Sequence, residues 1–140
     1  MSKILDQKNE IINKLRGSGL RPTKQRILIA KKLFDRDKTF HFTIESLNQR
    51  INKYGNGKIS LATIYNTVEA FTNAGYLKEI LTSKNKSYYD TNIKSHHHFY
   101  DEETKKLTDI NYNQVKLSKV PVPPKGKRIK NLEVVIRIQK

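Results

Sequence analysis

The sequence predicts an α+β fold in which helices come first and strands follow. Three observations carry that prediction. Apolar residues recur at helical spacing as far as Gly75. After Gly75 the period shortens to that of strands, with "YLKEIL" and "KSYYD" placed around the turn-like "TSKN". The chain then closes on the strand-like "NLEVVIRI", reached through "VPVPPKG" at 120–126, an irregular connector.

The elements follow in order. Ile4, Ile11, Ile12 and Leu15 form the apolar face of a first helix that breaks at Gly17 and Gly19. In "LRPTKQRILIAKKLF", Pro22 and Thr23 signal the start of a second helix with a stripe of Ile27, Ala30, Leu33 and Phe34. A third begins near Thr43, buries Ile44, Leu47 and Ile51, and ends at Gly55 and Gly57. The fourth, "SLATIYNTVEAFTNAG", has Ser60 as N-cap and Gly75 as C-cap. Its Leu61, Ile64, Val68 and Phe71 are expected to face inward, leaving Thr63, Tyr65, Asn66 and Thr67 outward. Helix, helix, turn, helix and hairpin is the order of a winged helix-turn-helix, which presents its last helix to the major groove of DNA. Residues 1–91 are therefore assigned to a winged-helix DNA-binding domain. Residues 92–140 form a second, small α/β domain, too short for a core of its own and expected to be completed by a second copy across a two-fold axis.

Charge supports that partner. Over 140 residues the formal net charge is +15 and the pI about 10.0. Such a chain favours a polyanion, because neutralising phosphates releases their counterions. Tyr65 and the methyls of Thr63 and Thr67 can meet thymine, and Asn66 can reach base edges. Arg21, Lys24, Arg26, Lys31 and Lys32 crowd the second helix and its entry, where they could hold phosphates. Taken singly each is an ordinary helix-surface residue; together, on a chain of this charge, they read as a binding face. The N-terminal "MSKILDQKNE" is too charged for a signal peptide and no run is long enough for a membrane span, so a cytoplasmic location is expected.

The chain contains no cysteine and four histidines, three of them adjacent in "SHHHFYD" at 95–101. Absence of cysteine excludes disulfides, thiolate metal sites and a cysteine nucleophile. Imidazoles bind Fe, Mn, Zn or haem iron, and in a strand His96 and His98 would project to one face and His97 to the other. The bland alternative is a solvated polar run. His41, just before a helix start, could be a capping or packing residue, and Asp90 could simply close the wing. "DEE" at 101–103 reads as a charged turn and not as a catalytic group.

"GLRPTKQRILI", "HFTIESL", "SLATIYNTVEAFTNAGYL" and "HHHFYDEETKKLTDI" resemble the ferric uptake regulator (Fur) family of bacterial metal-responsive repressors. The likeness runs over about residues 18–110, and is greatest to the iron response regulator (Irr) branch, of which "RPT.QR" and "DTN....HHHF" are characteristic. It implies a homodimer that pairs two winged helices on an AT-rich palindromic operator in double-stranded DNA. Alignment to the family motif implies regulatory metal ligands at His41, Asp90, His96, His98 and Asp109, an all N/O set suited to Fe(II) or Mn(II). In the Irr branch the triple histidine is also associated with haem, which would engage His96, His97 and His98. The family's CxxC pairs are absent, which argues against a structural zinc. DNA contacts are expected from Arg21, Lys24, Arg26, Ser60, Thr63, Tyr65, Asn66 and Thr67.

The function expected is a transcriptional regulator, mainly a repressor, of iron or haem homeostasis genes, and not an enzyme. A rival class is a metalloenzyme using the histidine cluster, but no nucleophile, paired carboxylates or phosphate-binding glycine loop accompanies it. A general basic nucleic-acid-binding protein would explain the charge and leave the histidines unexplained. Which effector acts, and whether it strengthens or releases DNA, the sequence leaves open.

Overall fold

The structure, a computed structural model, describes residues 2–53, 58–82 and 86–140. It divides into two compact units, Met1–Ile93 and Lys94–Lys140.

The N-terminal unit holds α1 (Ser2–Gly17), α2 (Lys24–Phe34), β1 (His41–Phe42), α3 (Ile44–Asn52), α4 (Leu61–Asn73), β2 (Lys78–Leu81) and β3 (Ser87–Asp90). Side-chain caps set the helix starts. Thr23 Oγ1 accepts the Arg26 N–H, Thr43 and Ser46 form a reciprocal capping box, and Ser60 Oγ accepts the Thr63 N–H at 3.1 Å. At the far end of α4 the Tyr76 N–H reaches the Phe71 carbonyl and the Gly75 N–H the Thr72 carbonyl, with Gly75 at φ +87°. This is a Schellman motif, in which Ala74 is the C-cap and Gly75 the left-handed residue after it. The start of α4 is tied to α3 by Asn52, whose amide donates to the Ile59 carbonyl and accepts the Ile59 N–H at 2.8 Å. Gly55 and Gly57, expected to end α3, lie outside the described residues, as do 83–85 of the expected hairpin turn.

Ile29, Leu33, Leu47, Ile64, Val68 and Phe71 make the heart of one hydrophobic cluster, with Phe71 edge-on to Phe34 at 5.1 Å. Each such side chain contributes roughly 1.5–3 kcal/mol by leaving water. The strands form an antiparallel sheet in the order β1–β3–β2, with His41 opposite Asp90 and Tyr89 opposite both Phe42 and Glu79. Two expectations for α4 are corrected. Leu61 is 53% exposed, because it sits in the first turn ahead of the buried stripe. Thr67 is buried: it lies three residues after Ile64 and four before Phe71, on the inward stripe itself. Its hydroxyl is satisfied locally, donating to the Thr63 carbonyl at 2.7 Å. In α2, Ile29 is fully buried, whereas Ile27 and Phe34 are half-buried at the edge of the cluster.

The C-terminal unit holds β4 (His97–Asp101), β5 (Lys106–Ile110), a 3₁₀ turn at Tyr112–Gln114 and β6 (Val135–Ile138). The 3₁₀ turn is its helical part among the described residues. The sheet order is β5–β4–β6: β4 pairs antiparallel with β5 and parallel with β6. The β4–β5 turn is closed by Asp101, whose Oδ1 accepts the Glu103 and Thr104 N–H groups at 2.9 and 3.2 Å. Those bonds, from Thr104 first and then Glu103, hold its carboxyl below the ordinary aspartate range. Asp101 therefore does structural work in the charged turn, as the sequence suggests for "DEE". Among the described residues no helix is long and apolar enough to cross a membrane.

Candidate metal centre and DNA-contact face

Strand register assembles the histidine cluster. His98 and Asp109 are direct partners across β4 and β5, and residues opposite one another in an antiparallel pair share a face. His96 lies just before the strand, two residues from His98, so its ring falls on the same side; the two ring centroids are 4.4 Å apart. The Nε2 atoms of both rings come within 3.3 Å of Asp109 Oδ1. The ligand atoms these three residues offer all lie within 4.8 Å of one another.

The far nitrogens decide what that convergence means. His96 Nδ1 is 2.6 Å from the Lys94 carbonyl, which can only accept, so the ring proton sits on Nδ1. His98 Nδ1 is 2.9 Å from Glu133 Oε1, again an acceptor when ionised. When neutral, each ring so protonated turns an Nε2 lone pair toward Asp109 Oδ1. Electron pairs facing one another between two buried imidazoles and a half-exposed carboxylate are stabilised by a cation among them, and an N/O donor set of this kind suits Fe(II), Mn(II) or Zn(II). The residues therefore fit a divalent metal.

His97 does something else. It projects the opposite way, its Nδ1 accepts the Val134 N–H at 2.9 Å, and its ring stacks on Tyr112 at 5.3 Å. It is buried and spent on tying β4 to the segment ahead of β6.

In the N-terminal unit, β-pairing brings His41 and Asp90 together, with Nε2 3.1 Å from Oδ2. Asp90 is 1% exposed, and its Oδ1 also accepts the Asn92 N–H at 2.9 Å. Such a pair is also consistent with plain closure of the wing.

On α4, Tyr65 and Asn66 stand exposed, Thr63 is half-buried, and Ser60 is engaged as the cap. Thr67 is not on this face. Arg21, Lys24, Gln25 and Arg26 line one groove with Thr63, so the cations at the entry of α2 adjoin the start of α4. Arg26 is steadied by donating to the Arg21 carbonyl at 3.0 Å. Behind the face, Tyr89 is buried and its hydroxyl is pushed up to about 12, first by burial and then by the charges of Glu79, Glu69 and Glu45.

A model of the ferric uptake regulator family matches residues 17–137. The chain belongs to that family. Relatives include the peroxide-responsive repressor PerR of Staphylococcus epidermidis, 35% identical over 107 residues that cover 76% of this chain and 69% of the relative. The PerR of Staphylococcus aureus is 34% identical over 76% of this chain and 70% of its own. Among solved structures, the ferric uptake regulator of Pseudomonas aeruginosa with manganese superposes with a TM-score of 0.68, over 91% of this chain and 96% of that one, at 21% identity. A zinc-bound manganese uptake regulator gives 0.62 over 93% and 98%, at 24% identity. The structural likenesses establish the fold, a winged helix-turn-helix followed by a small mixed unit. Membership makes this ferric uptake regulator family chain a transcription regulator and not an enzyme.

Glu133 is not among the residues that the sequence singles out. It stands at the start of "EVVIRI", and only the parallel pairing of β4 with β6 brings it beside His98. A carboxylate three residues into a strand-like run gives no sequence signal.

Proposed function

We propose that this protein is a metal-responsive repressor that binds double-stranded DNA through α4 and the cations at the entry of α2. The observation that carries the reading is the convergence of His96 Nε2 and His98 Nε2 on Asp109 Oδ1 at 3.3 Å, with the Nδ1 of each ring facing an oxygen on its other side. The same reading assigns His41 and Asp90 to the ligand set, on the strength of the family motif and their own 3.1 Å pairing. His41 lies two residues before Thr43, the cap of α3, so ligation there bears on the DNA-binding unit itself.

A divalent cation supplies positive charge that only the metal-binding conformation can use, and so shifts the population toward it. His96 and His98 present lone pairs, Asp109 and Asp90 present charge, and the Lys94 carbonyl holds one ring in register. Fe(II) and Mn(II) are the effectors proposed. Haem is disfavoured, because His97 is committed to Val134 and all three imidazoles are buried. The likeness to the Irr branch rests on "RPT.QR" and "DTN....HHHF", with the CxxC pairs absent. The peroxide-repressor and manganese-regulator relatives support metal-dependent repression at the level of the family.

The protein is proposed to act in the cytoplasm as a homodimer on an AT-rich palindrome, pairing through the C-terminal unit. Phe99, Ile136 and Ile138, exposed on neighbouring strands of that unit, are the apolar surface available for a second copy. The test is a DNA-binding titration of metal-free protein against Fe(II), Mn(II) and haem in turn at one fixed salt concentration. A change of DNA affinity with Fe(II) or Mn(II) of fivefold or more is expected, on the order of typical allosteric couplings. No response to either metal would overturn the reading.

A further inference from the structure

We propose that Glu133 is a positioning residue for the metal-binding edge of His98: its carboxylate holds the ring proton on Nδ1 and so keeps the Nε2 lone pair aimed at the ligand cluster. The proposal rests on the reading of His98 as a ligand, and extends it to a residue that touches no metal.

The geometry is specific to this pair. Glu133 Oε1 lies 2.9 Å from His98 Nδ1, with the histidine side chain 1% exposed and the glutamate 17%. That oxygen and His98 Nδ1 are both shut off from solvent, and the 2.9 Å contact between them does not have hydrogen-bond geometry. A carboxylate oxygen kept from water beside an imidazole is costly unless the ring presents a proton to it. A proton on Nδ1 satisfies the carboxylate and at once fixes which nitrogen is left to ligate.

The backbone holds Glu133 in place. Its neighbour Val134 is clamped from both sides, its carbonyl taking the His98 N–H at 3.1 Å and its N–H donating to His97 Nδ1 at 2.9 Å. His97 thereby gains a purpose that its direction away from the metal-binding face would not suggest: it locks the segment that carries the orienting carboxylate. The two ligand histidines are thus oriented by two different devices. For His96 the acceptor is the backbone carbonyl of Lys94, which substitution cannot remove. For His98 it is a side chain, which substitution can.

The experiment compares full-length wild type, Glu133→Leu and Glu133→Gln by two measurements. The first, in metal-free protein, is the tautomer of His98 from long-range ¹H–¹⁵N correlation spectra. The second is Mn(II) affinity by calorimetry. Wild type is expected to show the Nδ1–H tautomer at His98. Glu133→Leu is expected to lose it and to bind Mn(II) about 10–100-fold more weakly, the usual cost of deleting a residue that orients a ligand. Glu133→Gln, whose amide oxygen can still accept, should keep the tautomer and recover part of the affinity. A merely structural role would leave the tautomer unchanged. An Nε2–H tautomer in wild type would overturn the proposal, whether or not the leucine variant folds. So would equal Mn(II) affinity in wild type and both variants. If wild type binds no Mn(II), the metal reading fails, and the tautomer measurement still decides the role of Glu133.

Discussion

The two units of the chain are built on opposite principles. Met1–Ile93 is held by a continuous hydrocarbon cluster in which Phe71, Leu33 and Ile64 are 1% exposed or less. Lys94–Lys140 buries three histidines beside only Tyr100, Leu107 and Ile110, and leaves Phe99, Ile136, Ile138 and Val122 exposed. The first unit stabilises itself. The second has polar groups, the proposed metal ligands, where a core would be, and on that proposal its stability is conditional on what binds there and on what covers its apolar strands.

That contrast can be broken first in the N-terminal unit. Phe71→Ala leaves a cavity beneath α4 and should cost about 3–5 kcal/mol in chemical denaturation, with and without Mn(II) alike. A loss that saturating Mn(II) restores would mean that the two units are not energetically distinct in this way.

The complementary substitution is His98→Ala. For the wild type, Mn(II) at a hundredfold excess over its Kd should add about 2.7 kcal/mol of stability by mass action, and the variant should gain almost none. Thermal melts of both proteins across a Mn(II) series check this. A variant that gains as much as wild type would show that the cluster at β4 and β5 is not where the metal binds.

Much of this was legible in the sequence, and the reasons are local. Helix periodicity, the caps at Thr23, Thr43 and Ser60, and the glycine after α4 are all encoded within a few neighbouring residues. The alternation of His96, His97 and His98 about a strand follows from the pleat alone. What escaped is set by distance along the chain or by the limits of a pattern. β1 has two residues and exists only because β3 pairs with it. Glu133 reaches His98 through a parallel pairing between strands thirty-odd residues apart. Thr67 is polar and so looks like a surface residue, but its spacing from Ile64 and Phe71 puts it inside. Ile29 lies off the stripe of Ile27, Ala30, Leu33 and Phe34, in a helix apolar on more than one side where period alone does not fix the buried face.

Smaller effects separate the two faces of α4. Tyr65 is 48% exposed, and Tyr65→Ala should weaken specific DNA binding by about 1–3 kcal/mol per half-site while leaving non-specific binding nearly unchanged. Thr67→Val, beneath the same helix, should leave the ratio of specific to non-specific affinity as it is and cost only the hydrogen bond to Thr63, about 1 kcal/mol of stability. Gel-shift titrations on operator and random duplexes, at one salt concentration, read both. Equal specificity loss in the two variants would refute the burial of Thr67.

The smallest effect at neutral pH should come from Tyr89→Phe, and it probes whether the N-terminal unit is indifferent to solution conditions where the sensor is not. The Tyr89 hydroxyl is raised from 10.0 to about 12, chiefly by burial and then by Glu79 and Glu69. A raised value in the folded state means that folding favours the protonated phenol. Its contribution is fully present below pH 10, where the unfolded chain is also protonated, and is lost as the pH climbs through about 12. Wild-type stability should therefore be flat in this respect across the neutral range and fall between pH 10 and 12. Other lysines and tyrosines titrate there as well, so the informative quantity is the difference from Tyr89→Phe, which has no proton to lose. Denaturation midpoints of the two proteins should run parallel up to pH 10 and converge or cross above it, with wild type falling the faster. Parallel curves throughout would mean that the hydroxyl is solvated in the folded state, and that the hydrocarbon cluster of the reader unit is more open beneath its sheet than its packing implies.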